Sequence, residues 1–254
     1  MTKIDRLSAL MSRFELTVSP CPIETANFAI AGDRTSQDPA ALLFAPSPDP
    51  LPLSLRGDIV LLSARVDWGG PDNPLMAALP DMVRHDLAGD DDMRALAALL
   101  VTEQSVGRCG AASVLNRLGE VLIVRLMRAQ IETGAMQRGL LGGLADPRLS
   151  RAIVAIHDRP EEIWRVETLA EEAGLSVSRF AELFKAAVGD TPLAYLRKWR
   201  LILAKQDIER GDRVQAVAHR YCYGSTEALS RAISGEYGES PLQIRKAALA
   251  TQPV

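Results

Sequence analysis

The sequence predicts an α+β fold: a small β-rich N-terminal part with a helical hairpin, followed by an all-α domain. Three observations carry that reading. Extended-type segments crowd residues 20 to 68, helical periodicity takes over after Pro80, and one pattern in the helical half occurs twice, 48 residues apart. The 254 residues are enough for two ordinary domains, divided here as 1–145 and 148–254.

Taken in order, MTKIDRLSALMSRF at the N-terminus reads as a short amphipathic helix. It lacks the uncharged apolar stretch and small-residue cleavage site of a signal peptide. The clearest extended piece is Asp58-Ile-Val-Leu-Leu-Ser-Ala-Arg-Val66, aliphatic and β-branched, after the turn residue Gly57. Pro46 to Pro52 is Pro-rich and reads as a loop. Residues 91–104 and 109–132 repeat apolar side chains at helical spacing, as in Val114, Leu115, Leu118, Val121, Leu122 and Leu126. They form a hairpin broken at Gly107 to Gly110. Gly139, Gly142, Gly143 and Pro147 mark a linker, and from about residue 148 the chain reads as helix throughout.

Composition excludes several chemistries. Hydrophobic residues make up 47% and charged residues 24%, so a packed core is expected and disorder is not. No apolar run of about 18 residues predicts a membrane span. Cys21, Cys109 and Cys222 are far apart, with no CxxC spacing, which points to the reducing cytoplasm and away from disulfides or a zinc knuckle. His85, His157 and His219 are the only histidines, so no multi-histidine metal site and no metal cofactor is expected. A metal-dependent barrel enzyme would need ligands on its strands, and no His precedes His85. GxSxG, a Cys beside a His and a Gly-rich phosphate loop are all lacking, so no enzyme is expected. From residue 160 onward there are 13 Lys and Arg and 13 Asp and Glu; that half is neutral, and the net charge of −3 resides in the rest.

The repeat is specific. Arg165-Val166-x-x-Leu169-Ala170 recurs as Arg213-Val214-x-x-Val217-Ala218; after one residue is gained, Phe180 and Phe184 match Leu229 and Ile233. Gly189-Asp190-Thr191-Pro192-Leu193 then matches Gly238-Glu239-Ser240-Pro241-Leu242. Each copy reads as a helix-turn-helix. Val166, Leu169 and Ala170 share one helical face, and Gly174 permits the left-handed turn that ends the helix. Ser176 is placed as N-cap of the next helix, whose Phe180, Leu183 and Phe184 point inward. Thr191-Pro192 and Ser240-Pro241 are N-cap and N1 pairs that open further helices. The rod from Pro192 to about Glu209, closed by Gly211, spans roughly 27 Å at 1.5 Å per residue. That length suits two reading heads held about one DNA turn, near 34 Å, apart.

Trp164-Arg-Val-Glu-Thr-Leu-Ala-Glu-Glu-Ala-Gly-Leu-Ser-Val-Ser-Arg-Phe-Ala-Glu-Leu-Phe184, with Gly189-Asp-Thr-Pro-Leu-Ala-Tyr-Leu-Arg-Lys-Trp-Arg200, resembles the first helix-turn-helix of AraC/XylS transcription regulators. Val217-Ala-x-x-Tyr-Cys-Tyr-Gly-Ser225 through Gly238-Glu-Ser-Pro241 resembles the second. Residues 51–82, with Asn73-Pro-Leu-Met-Ala-Ala-Leu-Pro80, more loosely resemble the cupin-like sensor half of one branch, here as a reduced barrel. The resemblance implies a ligand-responsive regulator that binds double-stranded DNA, with a small-molecule effector, a homodimer and RNA polymerase as partners.

It also implies a base-reading face at Ser178, Ala181 and Glu182 in the first unit, with Arg179 and Lys185 flanking toward phosphate. In the second unit that face holds Thr226, Glu227, Ser230 and Arg231. Thr226 and Arg231 are placed opposite Leu229 and Ile233, and Arg231 suits guanine. Glu182 and Glu227 could accept from cytosine but repel phosphate, and each polar residue could equally form a solvated helix face. Arg197, Lys198 and Arg200 are assigned to phosphate or structure. Four departures bear on affinity. Cys222 stands where the family has a turn glycine, Leu229 and Ile233 replace aromatic core residues, Ser234 replaces a base, and Arg165 and Arg213 replace capping Ser or Thr at about 1 kcal/mol each. The competing reading is a protein-interaction module that kept the fold and lost DNA affinity. Residues 91–132 are assigned to dimerisation.

Overall fold

In the computed structural model the described residues are 5, 7–33, 35, 37–47, 51, 59–69, 73–133 and 139–251. Gly57, Asp58 and most of the Pro46–Pro52 stretch lie outside them. Contacts divide the chain into two compact units, Phe14–Gly142 on one side and Met1–Arg13 with Gly143–Val254 on the other.

In the first unit, strands β1 (Leu16–Pro20), β2 (Phe28–Gly32), β3 (Pro39–Phe44), β4 (Ile59–Trp68) and β5 (Val83–Asp86) form one antiparallel sheet in the order β1-β4-β2-β3-β5. β4 alternates as a half-buried strand should: Leu62, Ala64, Val66 and Trp68 are buried and Asp67 is exposed. β2 is buried on both faces. Phe28 and Ile30 lie opposite Phe44 and Leu42, while Ala29 and Ala31 join Ala41 and Leu43 in a core of smaller side chains. Buried Asn27 extends the ladder by bonding both the N–H and the carbonyl of Val66. Among the described residues β1 and β5 remain edges, so the sheet does not close into a barrel.

Helical character does not start directly after Pro80, as the sequence suggested. β5 comes first; its four residues pair only with β3, and so short an edge strand has no periodicity of its own to read. Helix α3 (Asp91–Val106) then opens on Asp90, whose carboxylate accepts from the Met93 N–H at 3.0 Å. Gly107 and Gly110, both with positive φ, turn the chain into α4 (Ala111–Glu132). α4 covers the β1 edge. Asn116 Oδ1 accepts from the Val18 N–H at 2.6 Å, a backbone donor that an edge strand leaves without a ladder partner. A Cβ on Gly119 would stand 2.7 Å from Val18 Cβ, so glycine sets how closely helix and strand approach.

Two short helices complete the N-terminal sequence. α1 (Ser8–Met11) groups with the second unit and packs on α6, and α2 (Pro74–Ala77) is capped by buried Asn73. The Gly139–Pro147 stretch expected as a linker instead carries α5 (Leu140–Ala145), within which the unit boundary falls. Its three leucines, Leu140, Leu141 and Leu144, are buried, and that burial outweighs the low helix propensity of Gly142 and Gly143.

The second unit is otherwise α6 (Leu149–Asp158), α7 (Val166–Ala173), α8 (Val177–Val188), α9 (Pro192–Glu209), α10 (Val214–Arg220), α11 (Thr226–Tyr237) and α12 (Pro241–Thr251). α7–α8 and α10–α11 are the two copies of the repeat, and α9 runs from one to the other.

Candidate nucleic-acid interface

Helices α8 and α11 are each held from behind by a core of their own. Gly174 ends α7 at φ +66°, and Phe180 and Phe184 of α8 are fully buried, their ring centroids 5.5 Å apart. Phe184 continues edge-on to Tyr195, whose hydroxyl lies 2.6 Å from His157 Nε2, and His157 in turn sits 4.5 Å from the Trp199 ring. Burial alone pushes His157 down to about 3, so it is neutral in the folded protein. Leu183, expected to point inward with the two phenylalanines, is only half-buried, because its position falls at the margin of the apolar stripe.

The second copy is built differently. Leu229 and Ile233 of α11 are fully buried, with Ile244 of α12 nearly so. Behind them Asp207, buried near the C-terminal end of α9, accepts from the Tyr221 hydroxyl at 2.7 Å and pairs with Arg220, which also reaches Asp212 at 2.8 Å. Arg245 of α12 donates to the Gly211 and Asp212 carbonyls. Sequence reading missed this knot. Its one signal was Asp207 set among Leu203, Ala204 and Ile208 on the buried side of α9.

Helix starts match the expected positions, though the bonds vary. Thr191 accepts from Ala194 N–H at 3.4 Å and Ser225 from Ala228 N–H at 3.1 Å. Ser176 holds the N-cap position with extended backbone, yet its side chain makes no cap bond. Arg165 cannot cap, but Thr168 takes the reciprocal half of a capping box by accepting from the Arg165 N–H at 3.1 Å. The capping loss expected there is therefore partly offset. Cys222 sits at φ +60°, the left-handed conformation that glycine adopts without a Cβ clash. Its Sγ donates to the Glu161 carbonyl at 2.9 Å.

At 100° per residue, the α8 position facing directly away from Phe180 and Phe184 is Glu182, with Ser178 and Lys185 on one flank and Arg179 on the other. All four are exposed, and Ala181 is half-buried. Arg179 Nη1 and Glu182 Oε2 are paired at 2.9 Å. On α11 the outermost position is Arg231, exposed, with exposed Glu227 beside it. Its own backbone N–H and the Ser225 hydroxyl hold the Glu227 carboxyl below its ordinary range. Thr226 does not lie opposite Leu229 and Ile233 as expected. It is half-buried and three residues ahead of Leu229, which returns it nearly to the core side, and Ser230 beside it donates to the Thr226 carbonyl at 2.8 Å.

The basic residues of α9 divide. Lys198 is bound to Asp190 at 2.8 Å, while Arg200 ties α9 to the α6–α7 loop through the carbonyls of Pro160 at 2.7 Å and Glu162 at 2.6 Å. Arg197 is exposed and lies against Tyr223, whose hydroxyl burial pushes up against the opposing effect of Arg197 and Arg200. Among the described residues no ion pair within 4.0 Å engages Lys185 or Arg231, and no group of three His, Cys, Asp or Glu could hold a metal. No described helix is long and apolar enough to cross a membrane.

Residues 169–247 match the helix-turn-helix domain family, and residues 23–132 match the cupin family. The chain thus carries a cupin domain ahead of an AraC-type helix-turn-helix domain.

Among curated relatives it is 32% identical over 179 residues to the HTH-type transcriptional regulator AlkR of Acinetobacter baylyi, covering 68% of this chain and 58% of that one. It is 37% identical over 153 residues to a putative AraC-like transcription regulator of Streptomyces lividans, covering 59% and 50%. The chain thus spans half to three-fifths of these relatives' length. Among solved structures, the DNA-binding domain of AdpA in complex with a target DNA is 32% identical, covers 42% of this chain and 97% of its own, and has a TM-score of 0.39. ToxT of Vibrio cholerae with a bound unsaturated fatty acid is 8% identical over 95% of this chain and 94% of its own, with a TM-score of 0.44.

Proposed function

We propose that this protein is a transcription regulator that binds double-stranded DNA sequence-specifically through α8 and α11. The observation that supports this best is the pairing of two outward-facing helices by the single rod α9, whose 18 residues span roughly 27 Å. Each helix turns its polar residues outward while its apolar residues are fixed in a separate core, so side chains can enter a major groove without unpacking the fold. Residues 148–254 are the DNA-binding part in this reading. The site is Ser178, Arg179, Ala181, Glu182, Lys185, Arg197, Lys198, Thr226, Glu227, Ser230 and Arg231, with Arg231 the guanine reader of the second unit. The deciding experiment selects bound sequences from random DNA and titrates one selected site against salt. Recovery of no preferred sequence, or affinity with no salt slope, would favour the protein-interaction reading that the neutral helical half and Glu182 and Glu227 also allow. Arg231→Ala should relax preference at one base pair; equal weakening on specific and random DNA would reassign Arg231 to phosphate.

The cupin part supplies regulation in this proposal. Leu99, Val106, Val114 and Val121 stay 39–51% exposed on α3 and α4, an apolar surface suited to a second copy of the chain. A strictly monomeric protein in sedimentation at micromolar concentration would remove the dimer. A cleft of about 550 Å³, lined by Asp33, Asp38, Leu87, Asp91, Arg94 and Ala98 among others, is the place to look for a small-molecule effector. RNA polymerase is the natural protein partner of such a regulator, and the cytoplasm its compartment.

A further inference from the structure

The two reading helices are copies of one another, which allows their outermost positions to be compared directly. With the offset of 49 residues that matches Phe180 and Phe184 to Leu229 and Ile233, Glu182 corresponds to Arg231. Both are exposed, both lie opposite two fully buried side chains, and both are five residues into a helix of twelve. Their charges are opposite. The flanking residues are exchanged as well. Arg179 precedes Glu182 by three positions and is paired to it at 2.9 Å, whereas Glu227 precedes Arg231 by four. In the first head a basic residue precedes the central acidic one, with Lys185 a second basic residue beyond it, and in the second head an acidic residue precedes the central basic one.

We infer that the two heads read opposite members of a G·C pair, Glu182 accepting from a cytosine amine and Arg231 donating to guanine. This rests on the DNA-binding proposal above and adds the specificity of the first head. In the major groove cytosine offers an N4 donor and guanine two acceptors, O6 and N7, so a carboxylate and a guanidinium at equivalent positions select opposite bases. A carboxylate facing DNA is repelled by phosphate unless something compensates. Arg179 does so here, since its guanidinium pairs with the Glu182 carboxylate at 2.9 Å and offsets its charge. In the second head no basic residue stands at the matching position, which is Ala228, and none is needed, because Arg231 is itself cationic.

The test uses the full chain and selection from random double-stranded DNA, comparing wild type with Glu182→Gln and Glu182→Arg. Wild type should yield two informative base pairs about 10 bp apart, one for each head. Glu182→Gln removes charge with little change in shape. Random-sequence affinity should rise, while discrimination at the first pair falls roughly tenfold, equivalent to about 1.4 kcal/mol. Glu182→Arg should invert that pair, from C to G on the same strand, and leave the second pair unchanged. Arg231→Glu should do the reverse at the second pair. If both Glu182 variants strengthen binding to all sequences alike and the first pair keeps its preference, Glu182 is a solvated residue and the inference is wrong. If wild type selects no sequence at all, the DNA-binding proposal falls with it. Circular dichroism matching wild type separates either result from misfolding.

Discussion

The two helix-turn-helix units share spacing and backbone but not substance. In the first, Phe180, Phe184, Tyr195, His157 and Trp199 make a chain of rings closed by one buried hydrogen bond. In the second, Leu229, Ile233 and Ile244 fill the same role, and the join to α9 is made by the buried Asp207 with Tyr221 and Arg220. The positions of apolar residues and of the left-handed turn are what the two hold in common. Which side chains fill those positions is free within limits of volume, and the outward face varies independently of both.

The largest test of that difference is truncation within each core. Phe184→Ala should cost about 3–5 kcal/mol and Ile233→Ala about 2–5 kcal/mol, the first being larger where a ring chain loses a central member. Amide hydrogen exchange should report the loss in α7–α8 for Phe184→Ala and in α10–α11 for Ile233→Ala. Loss of protection spread evenly over both units in either variant would mean they unfold as one block, and the comparison would lose its meaning.

Acid separates the units next. His157 is neutral and buried, pushed down to about 3, whereas the unfolded chain binds its proton near 6.5. Its contribution is therefore complete above about pH 6.5 and is lost as pH falls toward 3, at about 1 kcal/mol for each pH unit. Among the described residues only the first unit has a buried histidine. Denaturant melts of wild type and His157→Leu between pH 7 and pH 4.5 should diverge in slope, and parallel curves would show that His157 does not stay neutral.

The smallest effect sharpens the second unit. Cys222→Gly should raise stability by about 1 kcal/mol, because glycine takes φ +60° without the Cβ clash. The bond from Cys222 Sγ to the Glu161 carbonyl is lost in that variant. A thermal melt lowered rather than raised would mean that this bond outweighs the strain.

Sequence alone determined most of the helical half. The repeat, the proline-opened α9 and the glycine turn after α7 are local signals, written in residues three, four or five apart, and their starts and stops fall where the spacing put them. The outward residues of α8 came from the family resemblance, whereas periodicity misplaced Thr226 and took Leu183 for core, since a stripe's margin depends on what lies across from it. Tertiary structure alone decided the rest. β5 exists because β3 offers a free edge, α5 forms where glycines argued for a linker because three leucines find burial, and Thr168 offsets the missing cap at Arg165. The Asp207 knot and the neutral His157 depend on partners 14 and 38 residues away in sequence, and no local pattern records such distances. Propensity acts over one turn of helix, whereas burial and polar satisfaction act wherever the chain returns upon itself.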